Sequence, residues 1–143
     1  MTKAEAMNQT KSNQNNWYII DLSDKVLGRS ASKIAKILIG KNSVSYSPEK
    51  ESNNCVIAIN ASKIVLTGNK ENSKRYYKHT GYIGNLKTVE YKEIIKSHPD
   101  KVIISAVSGM LPKNLLKKSC LSRLKVYAGS DHPHVNVKTE QIL

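Results

Sequence analysis

The first sixteen positions are mostly Asn, Gln, Lys, Ser and Thr with no large aliphatic or aromatic residue besides Met, a composition that predicts a disordered tail over 1–16. Order begins at Trp17, where Trp17, Tyr18, Ile19 and Ile20 make a short buried strand over 17–21. Ser23 or Asp24 can then cap a helix over 25–39 that Gly40 stops. Leu27, Ala31, Ile34 and Leu38 share one face of it, while Arg29, Lys33 and Lys36 share the opposite one. A polar loop holding Pro48 leads to an apolar run over 55–60, the second strand, and 64–66 reads as a third. Strand, helix, strand is the pattern of a parallel βαβ unit with a right-handed crossover. The stretch 70–87 has no apolar periodicity, and 89–97 reads as a short helix. Ser97, Pro99 and Asp100 look like a helix start, and that helix carries Val102, Ile103, Ala106 and Val107 to Gly109. Pro112 reopens a helix with Leu116, Cys120, Leu121 and Leu124 on one side; 125–128 is the last strand, and a polar tail follows Gly129.

The length of 143 residues suits one domain, here 17–143, large enough for a core without staples. Charge changes the picture more. Lys and Arg number 23 against 11 Asp and Glu, a net charge of +12. Residues 1–60 hold 8 basic and 5 acidic side chains, and residues 61–143 hold 15 and 6. A compact chain so charged repels itself, and an anionic partner relieves the repulsion. Nucleic acid is the commonest such partner. A membrane surface calls for a basic amphipathic helix with Trp or Phe on its apolar face, and this chain has one Trp and no Phe. No apolar run approaches a membrane span, so no membrane partner is expected.

Enzyme templates fail in turn. G-x-S-x-G and G-x-G-x-x-G do not occur, and Gly68-Asn69-Lys70 lacks the rest of a P-loop. Cys55 and Cys120 lie far apart in apolar surroundings, which reads as two buried thiols in a reducing compartment rather than a disulfide. His79, His98, His132 and His134 have no Cys-x-x-Cys to join them. No catalysis, cofactor or metal is expected.

What remains is basic and aromatic. Lys74-Arg75-Tyr76-Tyr77-Lys78-His79 suits structured RNA: cations neutralise phosphates and Tyr stacks on unpaired bases. With Lys70 and Lys87 at its ends, 70–87 is expected to be an extended arm or loop, poorly ordered until RNA cancels its repulsion. The bland alternative is a folded edge strand with charged gatekeepers. Arg29, Lys33 and Lys36, followed by Lys41, form either a solvated helix back or a phosphate-contacting stripe. Lys113, Lys117, Lys118, Arg123 and Lys125 lie in a stretch, 101–129, whose residues include no acid. His132-Pro133-His134 has the spacing of a metal pair, but a structural or RNA-contacting tail suits it better.

The order WYIID…LGR (17–29), GK…YSP (40–48), INASKIVLTGNK (59–70), YYKHTGYIG (76–84), GMLPK (109–113) and RLKVYAGSDHPH (123–134) resembles the L-thirteen family of large-ribosomal-subunit proteins, in its bacterial or plastid form. The resemblance runs from Trp17 to the C-terminus. It implies a three-layer α/β/α domain on a mostly parallel four-stranded sheet, with a basic extended loop or hairpin and tails. It also implies early binding of large-subunit ribosomal RNA, neighbouring large-subunit proteins as partners and, in some bacterial relatives, repression of their own messenger RNA. The preponderance of Lys, Asn and Ile points to AT-rich coding and favours a plastid stroma over a bacterial cytoplasm for such a ribosome. Where the family carries Gly-Pro-Leu-Gly-Arg after LPK, this chain has Asn114-Leu115-Leu116-Lys117-Lys118, which predicts an earlier helix start.

Overall fold

The computed structural model describes residues 15–44, 46–135 and 139–141. Most of the tail expected over 1–16 lies outside the described residues. Strand β1 (Asn16–Asp21) is followed by helix α1 (Leu27–Ile39), strand β2 (Asn54–Ile59) and a single 3-10 turn (Ala61–Lys63). A four-residue helix α2 (Lys70–Ser73) leads into strands β3 (Arg75–His79) and β4 (Leu86–Glu90). Helices α3 (Tyr91–Ser97), α4 (Pro99–Met110) and α5 (Leu116–Ser122) precede strands β5 (Leu124–Val126) and β6 (Thr139–Gln141). Strands β5, β2, β1 and β6 form one sheet in that order, and every pair in it is parallel. Strands β3 and β4 form a separate antiparallel hairpin.

Side chains alternate along each strand, so the register sorts the sheet into two faces. Ile20, Val56, Ala58 and Leu124 join one core with Leu27, Ile34, Leu38, Val102, Val107 and Cys120 of the helices. Trp17, Ile19 and Cys55 face the other way, with Ile57 fully buried and aligned with Lys125 of β5. Strands β5 and β6 lie on opposite edges of the sheet. His134 is seated on Trp17, ring centroids 5.2 Å apart.

The C-terminal end of α1 shows how the helix is locked to the sheet. Gly40 turns left-handed at φ 85°, and its N–H donates to the carbonyls of Lys36 and Ile37. A Cβ at Gly40 would lie 2.8 Å from that of Ser52, so only glycine fits both the turn and the neighbour. The amide of buried Asn54 donates to Ile37 O at 2.8 Å, and Ser52 Oγ donates to Leu38 O. Carbonyls that a helix end leaves without partners are thus satisfied from the loop and strand that follow.

Several elements differ from the sequence reading. Helix α1 starts at Leu27, not 25, because the backbone of Lys25 and Leu27 bonds to Val65 instead of beginning a helix. Residues 64–66 are not a third strand. Val65 forms one isolated bridge with Val26, since both edges of β2 are taken by β1 and β5. Ser97 does not cap α4; it ends α3, with its hydroxyl donating to Glu93 O at 2.9 Å, and His98 stands between the helices. Pro99 lacks an N–H and forces the preceding residue out of the helical region. The last helix starts at Leu116, later than Pro112: Leu111 is extended ahead of the proline, and Asn114 N–H turns back onto Pro112 O before the helix begins. Strand β6 falls within what the sequence reads as polar tail.

Asp21, at the end of β1, accepts hydrogen bonds from Asn60 Nδ2 at 2.8 Å, Ser23 N at 3.0 Å and Ser23 Oγ at 2.9 Å. Led by Asn60, these donors hold its carboxyl at about 2, against an ordinary value of about 3.9. The folded form therefore prefers the ionised carboxylate. Its stabilisation is present above the ordinary value and is lost as pH falls toward 2. In an NMR titration, Asn60→Ala should return Asp21 toward the ordinary value; an unchanged midpoint would contradict this assignment of cause.

Candidate nucleic-acid interface

The basic side chains fall into three places. Arg29, Lys33 and Lys36 are exposed on the outer face of α1, and Lys41 is exposed just past Gly40. Lys33, Lys36 and Lys41 line one shallow recess with Ile37 and Asn42. Lys41 also borders a deeper cleft between the 41–52 loop, the end of α4 and the start of α5, where it meets Lys50 and Lys117. The fold thereby joins two clusters that are remote in sequence into one belt running from Lys33 to Lys117. Lys50 was missed by the sequence reading, because it sits singly in a loop without periodicity. Lys113 and Lys118 are exposed beside the cleft, and Lys117 is half-buried along its stem.

Arg123 does not belong to this surface. Its side chain is only 15% exposed, and its guanidinium pairs with Glu51 at 3.2 Å. It also donates to Ser119 Oγ at 3.3 Å. The expectation of a cluster without acidic partners fails here because the 41–52 loop folds back and brings Glu51 across from a distant part of the chain. Lys125 departs as well, since it aligns with Ile57 on the sheet face opposite the helices. Replacing Lys113, Lys117 and Lys118 by Ala should leave the melting temperature close to wild type. Adding Arg123→Ala should cost about 1–3 kcal/mol, because it breaks a charged hydrogen-bond network. Denaturant unfolding checks both, and equal stability of the triple and quadruple variants would return Arg123 to the exposed set.

The second place is the hairpin. The segment 70–87 is not an unpaired arm: β3 and β4 pair from Arg75↔Glu90 to His79↔Leu86. It is also not an edge of the main sheet. Tyr76 is the anchor the sequence reading lacked; it is half-buried and packed against the core beside Tyr91, and burial pushes its hydroxyl pKa up. Lys74 Nζ sits 5.3 Å from the centre of the Tyr76 ring. Arg75 pairs with Glu90 at 3.7 Å, with both side chains about half exposed. Tyr77 is 65% exposed, and Lys70, Lys78, His79 and Lys87 are exposed. His79 Nδ1 accepts from Gly81 N at 3.0 Å, which steadies the turn.

Lys78 and Lys87 are direct cross-strand partners. Like charges in that position cost up to about 1 kcal/mol, and a bound anion removes the cost. Lys87→Glu should make the free hairpin more stable, seen as slower amide exchange over 75–90, while lowering RNA affinity several-fold. If exchange and affinity both stay unchanged, the pair has no electrostatic role.

The third place is the C-terminal segment. Tyr127 OH and His134 Nε2 are 2.9 Å apart, and the His132 and His134 rings stack at 6.4 Å. With Trp17 these rings form one half-buried cluster, so His132 and His134 are built into aromatic packing against β1. Among the described residues no three His, Cys, Asp or Glu side chains are grouped to hold a metal. Cys55 and Cys120 are buried free thiols, and burial raises the pKa of Cys55. Among the described residues no helix is long and apolar enough to cross a membrane.

Comparison with known proteins shows the family. The profile of the family described as Ribosomal protein L13 matches residues 15–133. The chain belongs to the ribosomal protein L13 family. Among its relatives is the large ribosomal subunit protein uL13 of Thermoanaerobacter sp. (strain X514), 52% identical over 126 residues and covering 88% of each chain. The uL13 of Acidithiobacillus ferrooxidans (strain ATCC 53993 / BNL-5-31) is 47% identical over 121 residues, 85% of each chain. That of Francisella tularensis subsp. novicida (strain U112) is 48% identical over 118 residues, covering 82% of this chain and 83% of the relative. The family and these relatives are, by name, ribosomal proteins, those of the relatives belonging to the large ribosomal subunit.

Proposed function

We propose that this chain is a structural constituent of the large ribosomal subunit that binds large-subunit ribosomal RNA early in assembly and stabilises its fold. The observation that carries this reading is the belt Lys33–Lys36–Lys41–Lys50–Lys117, drawn from three separate segments in a member of the L13 family. Arg29, Lys113 and Lys118 extend it, and the hairpin, anchored on the core by Tyr76, supplies Lys70, Lys74, Arg75, Tyr77, Lys78, His79 and Lys87 as a second contact. Neighbouring large-subunit proteins are the further partners. A three-layer arrangement goes with this reading, the segment 127–134 supplying the layer opposite the helices. The ribosome concerned is that of a plastid stroma, by the AT-leaning composition, or of a bacterial cytoplasm, by the organisms of the relatives. Binding of the chain's own messenger RNA is a second reading that no particular observation favours.

Gradient centrifugation of cell extract tests the proposal, with the purified chain titrated onto large-subunit RNA transcript alongside. The chain should sediment with large subunits and bind the transcript. A chain that stays at the top of the gradient and ignores the transcript would overturn it.

A further inference from the structure

The cleft between the 41–52 loop and α5 has a shape and chemistry that simple backbone neutralisation does not require. It encloses about 360 Å³, within the range of small-ligand pockets and far more than one phosphate group fills. Its walls include the apolar Leu111 and Leu116 and the aromatic residue Tyr46, while Lys41, Lys50 and Lys117 also line it. The one carboxylate lining it, Glu51, is engaged by Arg123 at 3.2 Å. The cleft therefore combines an aromatic and apolar surface with three cations and a neutralised acid.

We propose that this cleft receives a single unpaired nucleotide of the bound RNA, with its base against Tyr46 and its phosphate among Lys41, Lys50 and Lys117. The inference rests on the RNA-binding reading and goes beyond it by naming a built subsite and its occupant. Stacking suits a nucleobase because every base presents a π-face, and the three lysines suit its anionic phosphate. A neutral or basic protein segment lacks the negative charge these lysines complement. The stripe on α1 offers charge on a convex helix face. The cleft adds concavity and a ring, so it selects an extruded nucleotide over a paired one.

The test uses the full chain and naked large-subunit RNA transcript, with Tyr46→Ala, Tyr46→Phe and Lys50→Ala compared against wild type. Tyr46 is 37% exposed, so Tyr46→Ala should melt within a degree or two of wild type. It should lose about 5- to 150-fold in affinity with the same salt slope, whereas Tyr46→Phe should stay within about twofold. Lys50→Ala should reduce the salt slope by about 1. Wild-type binding that Tyr46→Ala leaves intact overturns the subsite and spares the RNA reading. Failure of wild type to bind the transcript overturns both. If Tyr46→Ala is impaired only when other ribosomal proteins are present, the occupant is a protein segment and the proposal fails. Saturation of the cleft by adenosine 5′-monophosphate at micromolar concentration, seen as shifts in NMR spectra, would make it a free-nucleotide site and also overturn it.

Discussion

Affinity for large-subunit RNA should fall on the order of a thousandfold between 50 and 200 mM salt. Each cation that neutralises a phosphate releases condensed counterions, and the logarithm of affinity then falls linearly with the logarithm of salt. The belt from Lys33 to Lys117 and the hairpin pair Lys78 and Lys87 offer enough cations for about six such contacts, sufficient for that loss. The like-charged pair Lys78↔Lys87 sharpens the expectation, because its repulsion in the free protein is relieved on binding. Replacing Lys36, Lys41 and Lys117 together by Ala should lower the slope by about 3 without unfolding the chain. Filter binding across a salt series measures both slopes. A flat response in wild type would remove phosphate contact as the source of affinity.

Leu38→Ala should destabilise the fold by about 3–5 kcal/mol, a large part of the 5–15 kcal/mol that holds a typical domain together. Leu38 is fully buried, lies on α1 and belongs to the core that joins this helix to β2, α4 and α5. Its backbone carbonyl also accepts from Ser52 Oγ and Cys120 Sγ, so the surroundings are held from two sides and cannot readily collapse into a cavity. Chemical denaturation of the variant should show a lower midpoint. A loss below about 1 kcal/mol would mean that the end of α1 repacks freely.

The sequence by itself determined those features whose cause is local. Alternation and apolar runs specify β1, β2 and β5 to within a residue or two, and the spacing of Leu27, Ala31, Ile34 and Leu38 specifies the buried face of α1. Charge counting alone pointed to a polyanionic partner. The order of motifs pointed to the family, because spacing survives in the chain without coordinates.

Only tertiary structure decided the rest, since each remaining feature depends on a partner far away in the chain. Strand β6 is a polar Thr139-Glu140-Gln141 stretch with no strand pattern of its own; pairing with β1 makes it a strand. Residues 64–66 have the strand pattern, but both edges of the preceding strand β2 are taken by β1 and β5, and only Val65 forms a bridge, with Val26. The 70–87 segment looks too charged to fold, yet Tyr76 on the core and the pairing with β4 hold it. The basic residues divide for the same reason. Arg123 is spent on Glu51, and Lys125 sits on the other side of the sheet. Lys41, Lys50 and Lys117 come together only because the 41–52 loop folds against the ends of α4 and α5. The partners of these residues lie in distant segments of the chain, so their neighbours, and with them their roles, follow from packing.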